Sequence, residues 1–172
     1  LNQECASVNF SASMNIALRK AVPEDAQLIA HLTRSCWANK VAASSAGHHE
    51  NADDVIADLC QGGGFVLLID DMPAGSVRWT ALDTDTNVWE IRRMGILPAF
   101  RNQSLSQHLL EAVIHAAQNA GITELRLGVR TDQPRLLDLY TAYEFELVPE
   151  LDYAHANPRE PAPYVMRRFL KN

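Results

Sequence analysis

The sequence predicts a mixed α/β fold in the order β-α-α-β-β-β-α-β-α-β-β. Three observations carry this expectation. Segments with apolar residues at helical spacing are interspersed with short apolar runs of strand type, the pattern of helices layered on a sheet. The three central runs are joined by Asp-, Pro- and Gly-containing turns too short to hold a helix, so they form consecutive strands. The length of 172 residues, with 47% hydrophobic and 21% charged residues, fits one globular domain with a single core, assigned to residues 14–172.

Residues 16–21 (IALRKA) form the first strand. Pro23 suits a first helical turn, and Glu24 and Asp25 complement the helix dipole. Leu28, Ile29, Leu32, Cys36 and Trp37 then recur at helical spacing. Residues 38–50 are small and polar, a loop. Asn51 caps a second helix with the stripe Val55, Ile56, Leu59 and Cys60, ended by Gly62-Gly63-Gly64. That triplet lacks a following lysine and helix, so it is not a phosphate loop. Residues 65–69 and 76–82 form a hairpin around the 70–75 turn, and a long strand follows at 88–97. The helix at 106–120 buries Leu109, Leu110, Val113, Ile114 and Ala117, and Gly121 stops it. A strand at 125–129, a short helix opened by Pro134 and strands at 145–148 and 164–169 complete the chain, with a Pro-rich loop at 149–163.

A net charge of −6 supplies no global basic field, which argues against nucleic-acid and membrane partners. No run approaches the ~20 apolar residues of a membrane span. Residues 1–13 lack periodicity and the form of a signal peptide, and are expected to be a disordered leader or an artefact foreign to the domain. Cys5, Cys36 and Cys60 are odd in number and far apart, which suggests neither disulfide framework nor metal pair and favours a cytoplasmic location. His48-His49-Glu50 has no distant partner pattern and is a poor metal signal.

The most informative stretch runs from Trp89 to Gly121: strand, turn, amphipathic helix. Its turn, Arg101-Asn102-Gln103-Ser104-Leu105-Ser106, lies where the helix begins. Unpaired N–H groups and the dipole there favour an anion, and Arg101 adds a fork-shaped cation. The turn therefore reads as a phosphate grip, or as a plain cap in which Ser104 or Ser106 satisfies the helix.

The frame Arg101-x-x-Ser104-x-Ser106, the opening Leu18 to Ala26 and the segment Asp132-Gln133-Pro134-Arg135…Leu139-Tyr140…Phe145 together resemble the GNAT superfamily of N-acetyltransferases, over about residues 14–170. The family's turn reads Arg or Gln, two residues, Gly, one residue, then Gly or Ala; here both glycines are serines. Its later motif departs at Gln133, Leu136 and Glu144 and keeps Tyr140 and Phe145.

The resemblance implies the GNAT fold and acetyl-CoA as co-substrate. Backbone groups of Asn102, Gln103, Ser104, Leu105 and Ser106 would wrap its pyrophosphate beside Arg101, with Gln133 also at the cofactor. Met94, Gly95, Ile96 and Leu97 would line the pantetheine arm, with the Ile96 N–H as oxyanion donor and Gly95 marking a bulge. Glu90 would take a proton from a primary amine, or simply pair with Arg92 or Arg78, or be a solvated strand residue. Tyr140 would protonate the departing thiolate, or be a core tyrosine. Trp37, the 38–50 loop, Trp79 and the 149–163 loop would wall the acceptor pocket, where Tyr153 and His155 either touch substrate or are ordinary loop residues. No cysteine lies near these motifs, so the amine of a small molecule or peptide would attack directly in a ternary complex. Family members are often homodimers. The serines and the altered later motif also suit a second reading, a module that senses acyl-CoA without turnover; a third is an α/β domain that binds no cofactor.

Overall fold

Residues 13–38 and 41–171 are described by the computed structural model. Their order is β1 (Ile16–Lys20), α1 (Ala26–Trp37), α2 (Ala52–Gln61), β2 (Gly62–Ile69), β3 (Met72–Leu82), β4 (Asp85–Ile96), α3 (Leu105–Asn119), β5 (Glu124–Val129), α4 (Leu136–Ala142), β6 (Glu146–Leu147) and β7 (Tyr164–Phe169). This is the predicted order. The expectation for residues 1–13 falls, except for Ser13, outside the described residues.

One seven-stranded sheet runs β1-β2-β3-β4-β5-β7-β6. All neighbours are antiparallel except β4 and β5, whose parallel pairing joins Val88 to Glu124 through Ile91 to Leu127. A parallel pair needs a crossover, and α3 supplies it. Alternation along β2 sends Val66 to one face and Leu67 to the other. Val66 packs with Ile29, Ala30, Leu32 and Val55 of α1 and α2. Leu67 belongs to the larger cluster with Leu109, Leu110, Val113, Ile114 and Ala117 of α3, the stripe read from the sequence. Gly121 follows α3 at φ 72, the left-handed stop.

Several boundaries differ from expectation. Asp70 and Asp71 both take positive φ (48° and 65°), a two-residue hairpin turn that lets β3 begin at Met72. Gly62 caps the C-terminal end of α2 as expected, but Gly62, Gly63 and Gly64 also begin β2, opposite Thr80, Trp79 and Arg78. The Asn51 cap forms as expected, its Oδ1 accepting from the Asp54 N–H at 3.0 Å. The face that α2 buries is different: Val55 and Asp58 are buried, whereas Ile56 and Cys60 are exposed.

Asp58 is buried because β3 offers it a charge. Arg78 is 0% exposed, and its guanidinium meets Asp58 at 2.8 Å and Glu50 at 3.1 Å. Glu50 also accepts from Arg93 Nε at 2.6 Å, and Asp58 from Arg92. The cluster joins α2 and the residue before its cap to β3 and β4. Burial would raise the Glu50 pKa, but Arg78 and Arg93 outweigh it and hold the carboxyl below its ordinary range. Its stabilising contribution is therefore fully present above the unfolded-state value of ~4.3 and is lost as pH falls through the lower folded value. Glu50→Gln is expected to destabilise the fold by about 3 kcal/mol at pH 7, since it leaves buried arginine charge uncompensated. In melting experiments across pH, the gap between wild type and variant should narrow below pH ~4; a constant gap down to pH 3 would contradict the assignment.

Candidate active site

Beyond Ile91 and Leu127, β4 and β5 stop pairing, although β4 continues to Ile96. The cause lies on the other edge of β4. Its register with β3 shifts between Ser76 and Arg78, so Val77 faces two residues, Arg93 and Met94. This is a β-bulge, with Arg93 at φ 52 in the left-handed region. Gly95, expected to mark the bulge, lies one residue beyond it and has another role: a Cβ there would stand 2.9 Å from Cys36 Cβ and 3.0 Å from the Trp37 ring. Only glycine lets the end of α1 approach β4 this closely.

Past the bulge, the Leu97 N–H donates to the Ala74 carbonyl at 2.8 Å. That bond removes Leu97 from the backbone donors expected along the pantetheine. Strand alternation then turns the Ile96 N–H toward the fork. Met94, Gly95 and Ile96 meet Gln133, Cys36, Trp37, Val41, Arg130 and Leu136 around a small cavity of about 80 Å³. Four of the residues expected at the cofactor thus share one cleft.

The turn after β4 shows how two serines replace two glycines. Asn102 and Ser104 both adopt left-handed conformations, at φ 65° and 55°. Ser104 is the residue preceding α3, and its hydroxyl makes no cap bond to the helix. Ser106 lies within the first turn of α3. The backbone path a glycine would take is thus followed by a serine, at a conformational cost of roughly 1–2 kcal/mol. Leu105 is buried beneath the turn, and Asn102, Gln103 and Ser104 are exposed. Arg101 was expected to face phosphate, but it ties the turn to its surroundings: Nη2 donates to the Cys36 carbonyl at 2.7 Å and Nε to the Ile96 carbonyl at 3.2 Å.

Beside the small cavity lies a larger one of about 190 Å³. The two share Trp37, Met94, Arg130 and Leu136 as walls. Tyr140 of α4 lines the larger cavity, 8% exposed, with its ring edge-on to Phe145 at 6.0 Å. Burial pushes its pKa up to about 12, so the phenol keeps its proton across the physiological range. The 149–163 loop roofs this cavity as expected. Trp79 is not a wall: it is 3% exposed, stacked on Trp89 at 5.1 Å in the core.

Glu90 lies beneath the roof rather than on the cavity wall, and its side chain is 1% exposed. It pairs with neither Arg78 nor Arg92, which are held by Asp58 and, for Arg78, Glu50. One carboxylate oxygen accepts from the Ala154 N–H at 3.2 Å, and the other meets His155 Nδ1. His155 lines the cavity in its place. Tyr153 donates to the Ile91 carbonyl at 3.2 Å, at the point where the two strands part. Its ring covers Gly128, where a Cβ would lie 3.1 Å from it. Arg130 pins the far end of the loop through Glu160 at 2.8 Å. Sequence reasoning did not single out Arg130 or Glu160, nor join Glu90 to His155, because these contacts span 30 and 65 residues and leave no local pattern.

The sequence matches the acetyltransferase (GNAT) family over residues 27–145. No curated protein matches it significantly. Similar solved structures include a GNAT-family acetyltransferase from Streptococcus pneumoniae, at 21% identity and a TM-score of 0.70, covering 91% of this chain and 100% of that one. The PaiA N-acetyltransferase of Thermoplasma acidophilum, in complex with coenzyme A, aligns at 15% identity and a TM-score of 0.72, covering 91% and 99%. YncA of Salmonella typhimurium, with its cofactor acetyl-CoA, aligns at 15% identity and a TM-score of 0.71, covering 92% and 95%.

Replacing Ser104 by glycine should remove the left-handed penalty and raise stability by about 1 kcal/mol, a rise of roughly 2–4 °C in melting temperature. Ser104→Val should lower it, because a β-branched residue tolerates this conformation least. Equal melting points for all three would mean that residue 104 is not held left-handed in solution.

Proposed function

Because this chain belongs to the GNAT family of acetyltransferases, we propose that it moves an acetyl group from acetyl-CoA to a primary amine of a small molecule or peptide by direct attack in a ternary complex. The observation that carries the proposal is the pair of adjoining cavities at the β4/β5 fork, one lined by cofactor-type backbone and the other by Tyr140.

In this reading the N–H groups of Asn102 to Ser106 take the pyrophosphate at the start of α3, where dipole and unpaired donors favour an anion. The left-handed Asn102 and Ser104 shape that cradle, and Arg101 secures it through Cys36 and Ile96 rather than acting as a mobile counter-ion. The pantetheine arm descends past Met94, Gly95 and Gln133 and uses the β4 edge that β5 leaves unpaired. Its thioester meets the Ile96 N–H, which stabilises the oxyanion as the tetrahedral intermediate forms.

The acceptor occupies the larger cavity. An alkylamine is mostly protonated near neutrality and must lose a proton before attack. As the intermediate collapses, the carbon–sulfur bond breaks and the Tyr140 phenol gives its proton to the thiolate. A phenol with a pKa of about 12 enters each turnover protonated, as a general acid should.

Acetyl-CoA at a hundred times its dissociation constant should stabilise the protein by ~2.7 kcal/mol in a thermal-shift assay. Tyr140→Phe should lower kcat by about 10²-fold or more against an amine panel, with that shift intact and no alkaline inflection attributable to Tyr140 below pH ~11. Binding without turnover on any amine would favour the acyl-CoA-sensing reading. Absence of any shift at millimolar acetyl-CoA would remove the cofactor site altogether.

A further inference from the structure

We infer that the group which takes the proton from the acceptor amine is His155 of the roof loop, held in place by the buried carboxylate of Glu90. This rests on the acetyl-transfer reading and changes its cast: Glu90 becomes a positioning residue, and the catalytic base comes from a segment 65 residues away.

Glu90 cannot reach an acceptor. Its side chain is 1% exposed and both its oxygens are engaged, one by the Ala154 N–H and one by His155 Nδ1. His155 is the member of the pair that lines the cavity, 27% exposed, in the same chamber as Tyr140. A carboxylate only accepts, so the bond to Nδ1 places the ring proton there and leaves Nε2 with its lone pair. The ring is held on a second side by Tyr153, edge-on at 6.0 Å and itself bonded to the Ile91 carbonyl.

The charged and titratable groups around this chamber are Glu90, Arg92 and Arg93 of β4, Arg130 beyond β5, Tyr140 of α4, and Tyr153 and Glu160 of the loop. Each arginine has carboxylate partners: Arg92 with Asp58, Arg93 with Glu50, and Arg130 with Asp132 and Glu160. Glu90 is the carboxylate in hydrogen-bond contact with the imidazole, so it fixes which ring nitrogen carries the proton.

The proton balance closes without another reactant. The ammonium gives one proton to Nε2, and from there it passes to solvent. The neutral nitrogen bonds to the thioester carbon, the carbon–sulfur bond breaks, and the thiolate takes the Tyr140 proton. The second proton released by the new amide nitrogen restores the phenol.

The test uses the full chain, acetyl-CoA and two amine probes, spermidine and a lysine-containing peptide with a free N-terminus, with thiol release as readout. His155→Gln should lower kcat/KM by about 10²-fold at neutral pH, leave the acetyl-CoA thermal shift unchanged, and recover rate with added imidazole or at alkaline pH. Glu90→Gln should lower kcat/KM by less than His155→Gln does, because the amide can still accept from Nδ1–H but, able also to donate, no longer fixes which ring nitrogen carries the proton. Independently of turnover, the ¹⁵N shifts of His155 should report an Nδ1–H tautomer in wild type and a mixture of tautomers in Glu90→Gln. A His155→Gln enzyme within twofold of wild type, or a His155 tautomer indifferent to Glu90→Gln, would overturn the inference. If wild type binds acetyl-CoA but acetylates neither probe, the NMR arm decides it alone; if wild type does not bind acetyl-CoA, the underlying acetyl-transfer reading fails first.

Discussion

Beyond Ile91 and Leu127 the parallel strands β4 and β5 no longer exchange hydrogen bonds, and the site is organised around the backbone that this releases. A sheet cannot leave buried polar groups without partners, so the edge must be filled by side chains, a roof or a ligand. Arg101 takes one of its carbonyls, at Ile96, and Tyr153 takes another, at Ile91. Between them stand the residues that line both cavities. The parting depends in turn on the Arg93 bulge, which bends β4 while its other edge stays paired to β3 as far as Ile96.

The bulge is held by charge. Arg92, just before the bulge, and Arg93, within it, are seized by Asp58 and Glu50, and both carboxylates are fixed from below by Arg78. Replacing such a cluster by apolar residues is often neutral for stability. Its value here is geometric, since it fixes the course of two arginines that line the larger cavity. The segment before α2, which includes a single 3-10 turn at Ala46–His49, is drawn onto the sheet by the same contacts, with Arg34 adding a bond to the Glu50 carbonyl at 2.5 Å.

Much of the fold was legible because it is written in local periodicity. The α3 stripe, the Asn51 cap, the Gly121 stop and β7 all follow from spacing and turn chemistry. What escaped was long-range or backbone-borne. The α2 stripe was misread because Asp58 looks polar until Arg78 appears beneath it. Gly95 invited the label of bulge, whereas the bulge sits on an arginine that nothing in the sequence marks. Positive φ at Ser104 could not be read from a residue that seldom adopts it. Glu90 and Tyr140 were found at the site, one under the cavity and the other on its wall, but the histidine joined to Glu90 lies across a loop whose path no pattern encodes.

The 149–163 loop both covers the larger cavity and contributes His155 to it. Its anchors are few and polar: Glu90, the Ile91 carbonyl, Arg130 and a bond from Asn157 to the Ser44 carbonyl. In the proposed reaction, entry of the amine and the poise of the base would therefore be coupled. A loop lifted to admit a bulky amine would carry the imidazole away and open the Glu90 carboxylate to water. Such a molecule would hold no poised base while its door stood open, and bulk water at the thioester would find no imidazole there to activate it.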